Sequence, residues 1–184
     1  MIEQPILHTR RLVLRPLALA DAADVQRLAG AEAVASTTAN IPHPYEDGMA
    51  EAWINSQPAH LADGTSIVYA ITLAETGELC GAIGLTLKPE HQRAEMGYWI
   101  GVPYWGQGYC TEAAAALRDL GFRNLGLHRI LAMHLARNPA SGRVMQKIGM
   151  RHEGTLREHM LKWDVFETIE YYGILRSEWE TGLP

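Results

Sequence analysis

The chain has 184 residues, of which 47% are hydrophobic and 20% are charged. These proportions are typical of one globular domain with a substantial core and exclude a largely disordered chain. The formal net charge of -5 argues against nucleic acid as a partner, because phosphate backbones bind to basic surfaces, and it is compatible with a cationic amine. No apolar run is long enough to cross a membrane and the N-terminus lacks the pattern of a signal peptide, so we expect one cytoplasmic domain over residues 1–184.

Cysteine and histidine give no sign of a disulfide framework or of a metal site. Cys80 and Cys110 form no CxxC pair, and we expect both to be free thiols. The histidines are scattered without the spacing of metal ligands, so no metal is expected.

The first part of the chain predicts a strand followed by two helices. Leucines alternate with arginines over residues 11–17, which is typical of a strand. A helix is expected to begin after Asp21 as its N-cap and to end at Gly30. A second helical stretch covers residues 49–61.

Three strands are predicted next. Residues 66–73 and 79–88 are rich in β-branched and apolar side chains and are separated by a turn, which indicates an antiparallel hairpin. Residues 93–101 alternate as a third strand, with Glu95 on the opposite face from Tyr98, and Gly97 indicates a bulge or a close approach of another backbone.

The second half of the chain predicts helices that alternate with strands. Thr111 is the expected N-cap of a helix that ends near residues 124–126. A second helix covers residues 138–149, with Asn138 as its cap and Gly149 as its C-terminal stop. The remaining apolar runs are predicted as strands over residues 128–135, around 150–156 and at 166–176.

A loop with two glycines, Gly106 and Gly108, precedes the helix at Thr111. Glycine adopts backbone angles that are closed to other residues, so the N–H groups of residues 106–111 can converge on one anion, helped by the helix dipole. The same pattern also occurs in a purely structural turn. Neither a GxxxxGK[ST] motif nor a GxGxxG motif is present, so a nucleoside triphosphate or a dinucleotide is not indicated.

Three linked stretches carry a resemblance to a known family: AEMGYWIG at 94–101, WGQGYCTEA at 105–113 and NPASGRVMQKIGM at 138–150. They resemble the GNAT superfamily of acetyl-coenzyme A-dependent N-acetyltransferases, and within it the RimJ/RimL type, which acetylates the N-termini of ribosomal proteins. Two positions depart from the pattern: Pro103 replaces a common Gln or Arg, and Thr168 replaces a common Asp.

The resemblance implies an α+β fold and a cofactor site. The expected fold is a mixed, mostly antiparallel sheet of about six to seven strands, flanked by about four helices. The expected cofactor is acetyl-CoA, and the chain would be a monomer or a homodimer. One strand would splay from its neighbour and bind the pantetheine arm through free main-chain groups of Trp99, Ile100 and Gly101. The other implied cofactor-binding residues are Trp105, Gly106, Gln107, Gly108, Tyr109, Cys110, Thr111, Asn138, Arg143 and Lys147.

Several of these residues also have a simpler interpretation. Asn138 would cap its helix, bind the pantetheine or do both. Arg143 and Lys147 would reach a cofactor phosphate or lie in solvent.

Two residues are the candidates for catalysis. Glu95 is the expected general base, acting through a water, because an amine at neutral pH is mostly ammonium. Glu153 is a second candidate base, and an exposed structural carboxylate is the alternative for Glu95. Ser141 would protonate the leaving thiolate or only cap its helix. A covalent role for Cys110 is not expected, because direct transfer in a ternary complex is simpler.

The sequence thus predicts an acetyl-CoA-dependent N-acetyltransferase. The favoured acceptor is the N-terminal α-amino group of a ribosomal protein. The alternatives are a small amine such as an aminoglycoside, a polyamine or an amino acid, a CoA-binding module without catalysis, or a structural domain in which the loop is an empty turn.

Overall fold

A computed structural model describes residues 3–182. This part of the chain forms one sheet with helices on both of its faces. The strands are β1 Leu7–His8, β2 Leu12–Pro16, β3 Ser66–Leu73, β4 Leu79–Lys88, β5 Arg93–Ile100, β6 Arg129–Leu135, β7 Arg151–Lys162 and β8 Val165–Leu175. The helices are α1 Ala22–Ala29, α2 Glu32–Ala35, α3 Met49–Ala62, α4 Tyr109–Arg123, α5 Pro139–Lys147 and α6 Arg176–Thr181.

The strand order is β1-β2-β3-β4-β5-β6-β8-β7. All neighbours pair antiparallel except β5 and β6, which pair parallel. The predicted class of fold, a mixed and mostly antiparallel sheet, is therefore confirmed. None of the helices in the described range is long and apolar enough to cross a membrane.

The described residues form eight strands, one or two more than predicted, and two additional short helices. Strand β1 has only two residues, which is too short to show a period in the sequence. Strand β7 extends beyond the predicted run at 150–156 and lies at the edge of the sheet. Most of its side chains are exposed, so no alternation of apolar residues marks it.

Asp21 precedes α1 as predicted, but its carboxylate bonds outside the helix. It accepts hydrogen bonds from the Arg15 guanidinium at 2.7 and 2.8 Å and from the Ala18 N–H at 2.8 Å. Burial by itself would raise the pKa of Asp21, but the bonds from Arg15 and Ala18 outweigh it and hold that pKa below its ordinary value. Asp21 therefore joins β2 to the start of α1.

Apolar side chains lie between the sheet and the helices on both of its faces. The larger cluster packs α4 and α5 against the strands and includes Leu12, Tyr69, Leu85, Leu117, Phe122, Ile130 and Met145. A smaller cluster lies under α1 and α3 and includes Val25, Ala29, Ile54, Ala70 and Leu79.

The sheet opens between β5 and β6. Their parallel pairing ends at Glu95 opposite Leu131, whereas β5 continues to pair with β4 as far as Ile100 opposite Gly81. The second half of β5 therefore has a neighbour on one side only, as the splayed strand of the resemblance implied. The pairing of β4 with β5 is continuous past Gly97, so the predicted bulge is wrong. A Cβ at Gly97 would meet nothing within 4 Å, so a close approach is wrong as well.

Candidate active site

A cavity of about 670 Å³ occupies the opening between β5 and β6. Alternation along β5 places Glu95 and Trp99 on one face of the sheet and Tyr98 on the other. All three residues line the cavity, because the open sheet connects the two faces. The glycine loop and the start of α4 line the cavity, and so do residues 37–41 and Trp53.

Most of the predicted cofactor residues lie in the wall of this cavity. Those in the wall are Trp99, Ile100, Trp105, Gly106, Gly108, Tyr109, Cys110, Thr111, Asn138, Arg143 and Lys147. Gly101 and Gln107 are not part of that wall. A Cβ at Gly101 would be 2.7 Å from Leu28, so this position is bare because α1 packs against it.

The glycine loop has the backbone that its sequence predicts. Gly106 and Gly108 have φ angles of +75° and +79°, in the left-handed region that favours glycine. Helix α4 begins at Tyr109 with Gly108 as its N-cap, so the prediction of Thr111 as N-cap is wrong. Because a glycine cap has no side chain to accept a hydrogen bond, the first N–H groups of the helix remain available to a ligand.

Arg11 contacts this loop and is not among the residues that the sequence predicts for the site. Its Nη1 donates to the Gln107 carbonyl at 2.9 Å, and its Nε donates to Glu112 at 2.7 Å. Its guanidinium carbon lies 4.7 Å from the centre of the Tyr109 ring. About one hundred residues separate Arg11 from these partners, so no local pattern could have indicated the contact.

The main-chain groups that face the opening belong to Tyr98 and Ile100. The Gly101 N–H donates to the Cys80 carbonyl at 2.9 Å, within the pairing of β4 and β5. In an antiparallel ladder every second residue bonds to the same neighbour, so Trp99 also bonds to β4, whereas Tyr98 and Ile100 point toward β6. The Trp105 indole N–H donates a hydrogen bond to the Ile100 carbonyl at 2.6 Å. The expectation of free main-chain groups on Trp99 and Gly101 therefore differs from the structure.

Glu95 is half-buried in the cavity wall, opposite Thr86 of β4. Burial raises the pKa of Glu95, and nearby Arg93 opposes part of that rise. Glu153, the second candidate base, lies on β7 outside the cavity wall and forms an ion pair with Arg129. The structure therefore does not support Glu153 as the base.

Ser141 and Tyr98 form a hydrogen-bonded pair at the start of α5. The Tyr98 hydroxyl donates to the Ser141 carbonyl at 3.1 Å and lies 3.0 Å from the Ser141 hydroxyl. Burial raises the pKa of Tyr98 far above its ordinary value, so this hydroxyl stays protonated. No sequence pattern indicates this polar contact of Tyr98, because Tyr98 and Ser141 are distant in the chain.

Asn138 caps α5. Its Oδ1 accepts from the Ser141 N–H at 3.3 Å, and its Nδ2 donates to the Thr37 carbonyl at 3.2 Å. The predicted cap is confirmed, and the alternative that Ser141 is the cap is wrong.

The remaining predicted residues are a thiol and two cations. Burial raises the pKa of the Cys110 thiol, so it is a poor nucleophile at neutral pH. Neither cysteine forms a disulfide, as predicted. Arg143 and Lys147 are exposed at the cavity rim on α5, and neither forms a hydrogen bond or ion pair within residues 3–182.

Comparisons with known proteins are consistent with this geometry. The sequence model of a family described as "Acetyltransferase (GNAT) domain" matches residues 11–151. The chain is 34% identical over 182 residues to "Uncharacterized N-acetyltransferase YoaA" of Bacillus subtilis (strain 168), covering 94% of this chain and 97% of the relative. It is 29% identical over 96 residues to "Ribosomal-protein-serine acetyltransferase" of Escherichia coli (strain K12), covering 52% and 54%. Spermidine N-acetyltransferase from Vibrio cholerae, solved with CoA and spermine, superposes with a TM-score of 0.80 at 22% identity over 94% and 99%.

Proposed function

This chain belongs to the GNAT family of acetyl-CoA-dependent N-acetyltransferases, and we propose that its acceptor is the N-terminal α-amino group of a protein, with a ribosomal protein as the favoured substrate. The observation that carries this proposal is the charge of the cavity wall, in which Glu95 is the single carboxylate among the described residues. One carboxylate matches one ammonium group, whereas a polyamine would bring at least one further charge into the cavity without a partner. The matching relative from Escherichia coli acts, by its name, on a ribosomal protein.

The residues at the glycine-loop end of the cavity fit the pyrophosphate of acetyl-CoA. A Cβ at Gly106 would meet nothing within 4 Å, so the loop is open. The N–H groups at the start of α4 would bind the phosphate oxygens, and Arg143 and Lys147 would add positive charge from the opposite wall. We assign the pantetheine arm to the main chain of Tyr98 and to the Ile100 N–H, in place of Trp99 and Gly101. Acetyl-CoA supplies the acetyl thioester that the amine attacks.

Glu95 would remove the proton that the acceptor must lose. An α-amino group has a pKa of about 7.7 to 8.0, so much of it is protonated at neutral pH. Because burial raises the pKa of Glu95, this carboxylate is a stronger base than an ordinary glutamate. We propose that it accepts the amine proton, directly or through one water.

Ser141 would donate the proton that the leaving thiolate needs. Its hydroxyl lies 3.0 Å from the Tyr98 hydroxyl, which orients it. Because Tyr98 donates its one proton to the Ser141 carbonyl, the Ser141 hydroxyl is the donor in the contact between the two hydroxyls. The Ser141 proton would turn from the Tyr98 oxygen to the thiolate. Ser141 Oγ is therefore the proposed acid, and Tyr98 is the residue that positions it.

The proposal is tested with a panel of amines and acetyl-CoA, by following thiol release and the mass of the product. The panel contains peptides with a free N-terminus that begin with Ser, Ala or Met, the same peptides with a blocked N-terminus and an internal lysine, spermidine, an aminoglycoside and free amino acids. We expect turnover of the free N-termini only, and loss of turnover in Glu95→Gln with the affinity for CoA unchanged. A higher kcat/KM for spermidine or another small amine than for every peptide would overturn the proposed acceptor.

A further inference from the structure

We propose that Arg11 is a positioning residue for cofactor binding, which turns the Gly108 N–H toward the cavity by holding the Gln107 carbonyl. This inference rests on the proposed role of the glycine loop as the pyrophosphate site. Arg11 lies in the turn between β1 and β2, outside the cavity wall, and does not touch the space that a ligand would fill.

The contacts of Arg11 fix its guanidinium on both sides. Its Nε and its backbone N–H donate to the two oxygens of Glu112 at 2.7 and 2.8 Å, and its Nη1 donates to the Gln107 carbonyl at 2.9 Å. Thr9 adds a further hydrogen bond to Glu112 at 2.7 Å. Because Glu112 is in the first turn of α4, the guanidinium joins the loop carbonyl to the helix that follows the loop.

The peptide bond between Gln107 and Gly108 couples the position of the Gln107 oxygen to the direction of the Gly108 N–H. In a planar trans peptide the C=O and the following N–H point in opposite directions. Arg11 holds the Gln107 oxygen on its own side of the loop, so the Gly108 N–H points to the other side. Gly108 lines the cavity and Arg11 does not, so the N–H donor faces the proposed anion site.

Without Arg11 this peptide would have an alternative orientation. Gly108 has a φ of +79°, and glycine also adopts negative φ at little cost. The peptide group between Gln107 and Gly108 can therefore rotate. A rotated peptide would present the Gln107 oxygen to the phosphate in place of the Gly108 N–H. One donor would be lost and one repulsive acceptor would be gained, which is the reason for a large effect on affinity.

Arg11 also balances a negative charge close to the site. Burial alone would raise the pKa of Glu112, but hydrogen bonds from Thr9 and Arg11 lower it, so this carboxylate is ionised. A carboxylate in the first turn of α4 opposes an anion at the same helix end. The Arg11 guanidinium cancels this opposition.

The test compares Arg11→Gln with Arg15→Gln. Arg15 is a matched control because it lies four residues further along the chain, in β2, and likewise pairs with a carboxylate, Asp21, at the start of a helix, but it has no contact with the glycine loop. Calorimetry with CoA, the KM for acetyl-CoA, kcat and the melting temperature are measured for each variant. The orientation itself is measured without ligand, from the Gly108 amide resonance and a crystal structure of the variant.

We expect Arg11→Gln to raise the Kd for CoA and the KM for acetyl-CoA about tenfold or more, with kcat within about twofold of wild type. Arg11→Lys, which can reach only one of its two partners at a time, should lie between wild type and Arg11→Gln. Arg15→Gln should lower the melting temperature and leave the Kd unchanged.

Two other results would overturn the inference: a Kd for CoA in Arg11→Gln within about twofold of wild type, or equal increases in both variants in proportion to lost stability. A separate variant, Gly106→Trp, tests the site itself. If wild type binds CoA and Gly106→Trp binds it equally well, then the proposed glycine-loop site is wrong, whatever Arg11 does.

Discussion

Glu95 is a half-buried carboxyl group. Its burial has opposite consequences for the stability of the protein and for the proposed catalysis. Burial raises its folded-state pKa, so the ionised form is disfavoured in the native protein. Such a group stabilises the fold only while it is protonated, and this contribution is lost as the pH rises through the folded pKa. The ionised form, which the proposed role as a base requires, therefore comes at a cost in stability.

This conflict predicts a pH dependence for Glu95→Gln. Turnover of wild type should fall as the pH drops through the raised pKa of Glu95, with the inflection above the ordinary glutamate value of about 4.3. The Gln variant should lose turnover and melt at a higher temperature than wild type at neutral pH. The difference in melting temperature should vanish below about pH 4, where the Glu95 carboxyl of wild type is protonated in the folded and in the unfolded protein.

The measurements are kcat/KM and melting temperature over a pH series. Glu90→Gln is the control, because Glu90 is an exposed carboxylate outside the cavity wall. It should leave both profiles unchanged. A Glu95→Gln variant that melts below wild type at neutral pH would contradict the prediction.

The glycines show how far single residues can be predicted from sequence. The left-handed angles at Gly106 and Gly108 were expected, because a glycine pair before a helix needs them. Gly97 and Gly101 could not be distinguished in the same way. One opens onto the cavity and the other packs against Leu28 of α1, and only tertiary structure decides which is which.

At the scale of elements, α5 depends on Asn138 for its start and for its position in the molecule. The Asn138 side chain accepts from the α5 backbone and donates to the Thr37 carbonyl. Residues 37–41 line the cavity, and we propose that they contact the acceptor amine. One amide therefore joins α5 to this part of the cavity wall.

Two substitutions separate these roles. Asn138→Ala removes both bonds and should lower the free energy of unfolding by about 0.5–2 kcal/mol, the usual cost of losing an N-cap. Asn138→Asp keeps the acceptor for the helix but loses the donor to Thr37. It should retain most of the stability and still raise the KM for the acceptor amine, with the KM for acetyl-CoA little changed.

Urea unfolding and steady-state kinetics measure both effects. Equal losses of stability in Asn138→Ala and Asn138→Asp would show that the cap contributes nothing. An unchanged acceptor KM in Asn138→Asp would show that the bond to Thr37 does not shape the cavity.

The elements themselves were largely predictable, and the opening in the sheet was predictable only through the resemblance. Strands β3, β4 and β5 carry apolar alternation and turn residues that fix their bounds within a residue or two. The end of pairing between β5 and β6 leaves no such pattern, because it depends on how β6, β8 and α5 pack against each other. The identity of the free main-chain groups therefore followed only from the observed register.

At the scale of the whole molecule, the protein has a net negative charge although its cofactor is an anion. The formal net charge is -5, and at a distance it repels CoA. We propose that Arg143 and Lys147 attract CoA locally from the cavity rim, and that Arg11 orients the glycine loop through its contact with Gln107. Local attraction acts within a Debye length of about 8–10 Å, so for bound CoA it outweighs the distant repulsion.

This balance predicts that the effect of salt on acetyl-CoA binding changes sign in one double variant. In wild type, added salt should raise the KM for acetyl-CoA, because it weakens the nearby attraction most. In Arg143→Gln/Lys147→Gln the attraction from these two cations is gone and the net charge is more negative. Added salt should then lower the KM from a higher starting value, because the repulsion from the net charge is the larger of the remaining interactions that salt screens.

The matched control is Lys88→Gln/Arg157→Gln, which makes the same change in net charge with two exposed cations outside the cavity wall. It should keep the salt dependence of wild type, with KM rising as salt is added. The measurement is KM for acetyl-CoA between low and physiological ionic strength in all three proteins. If the two double variants respond to salt alike, then net charge alone governs the binding, and Arg143 and Lys147 have no special part in it.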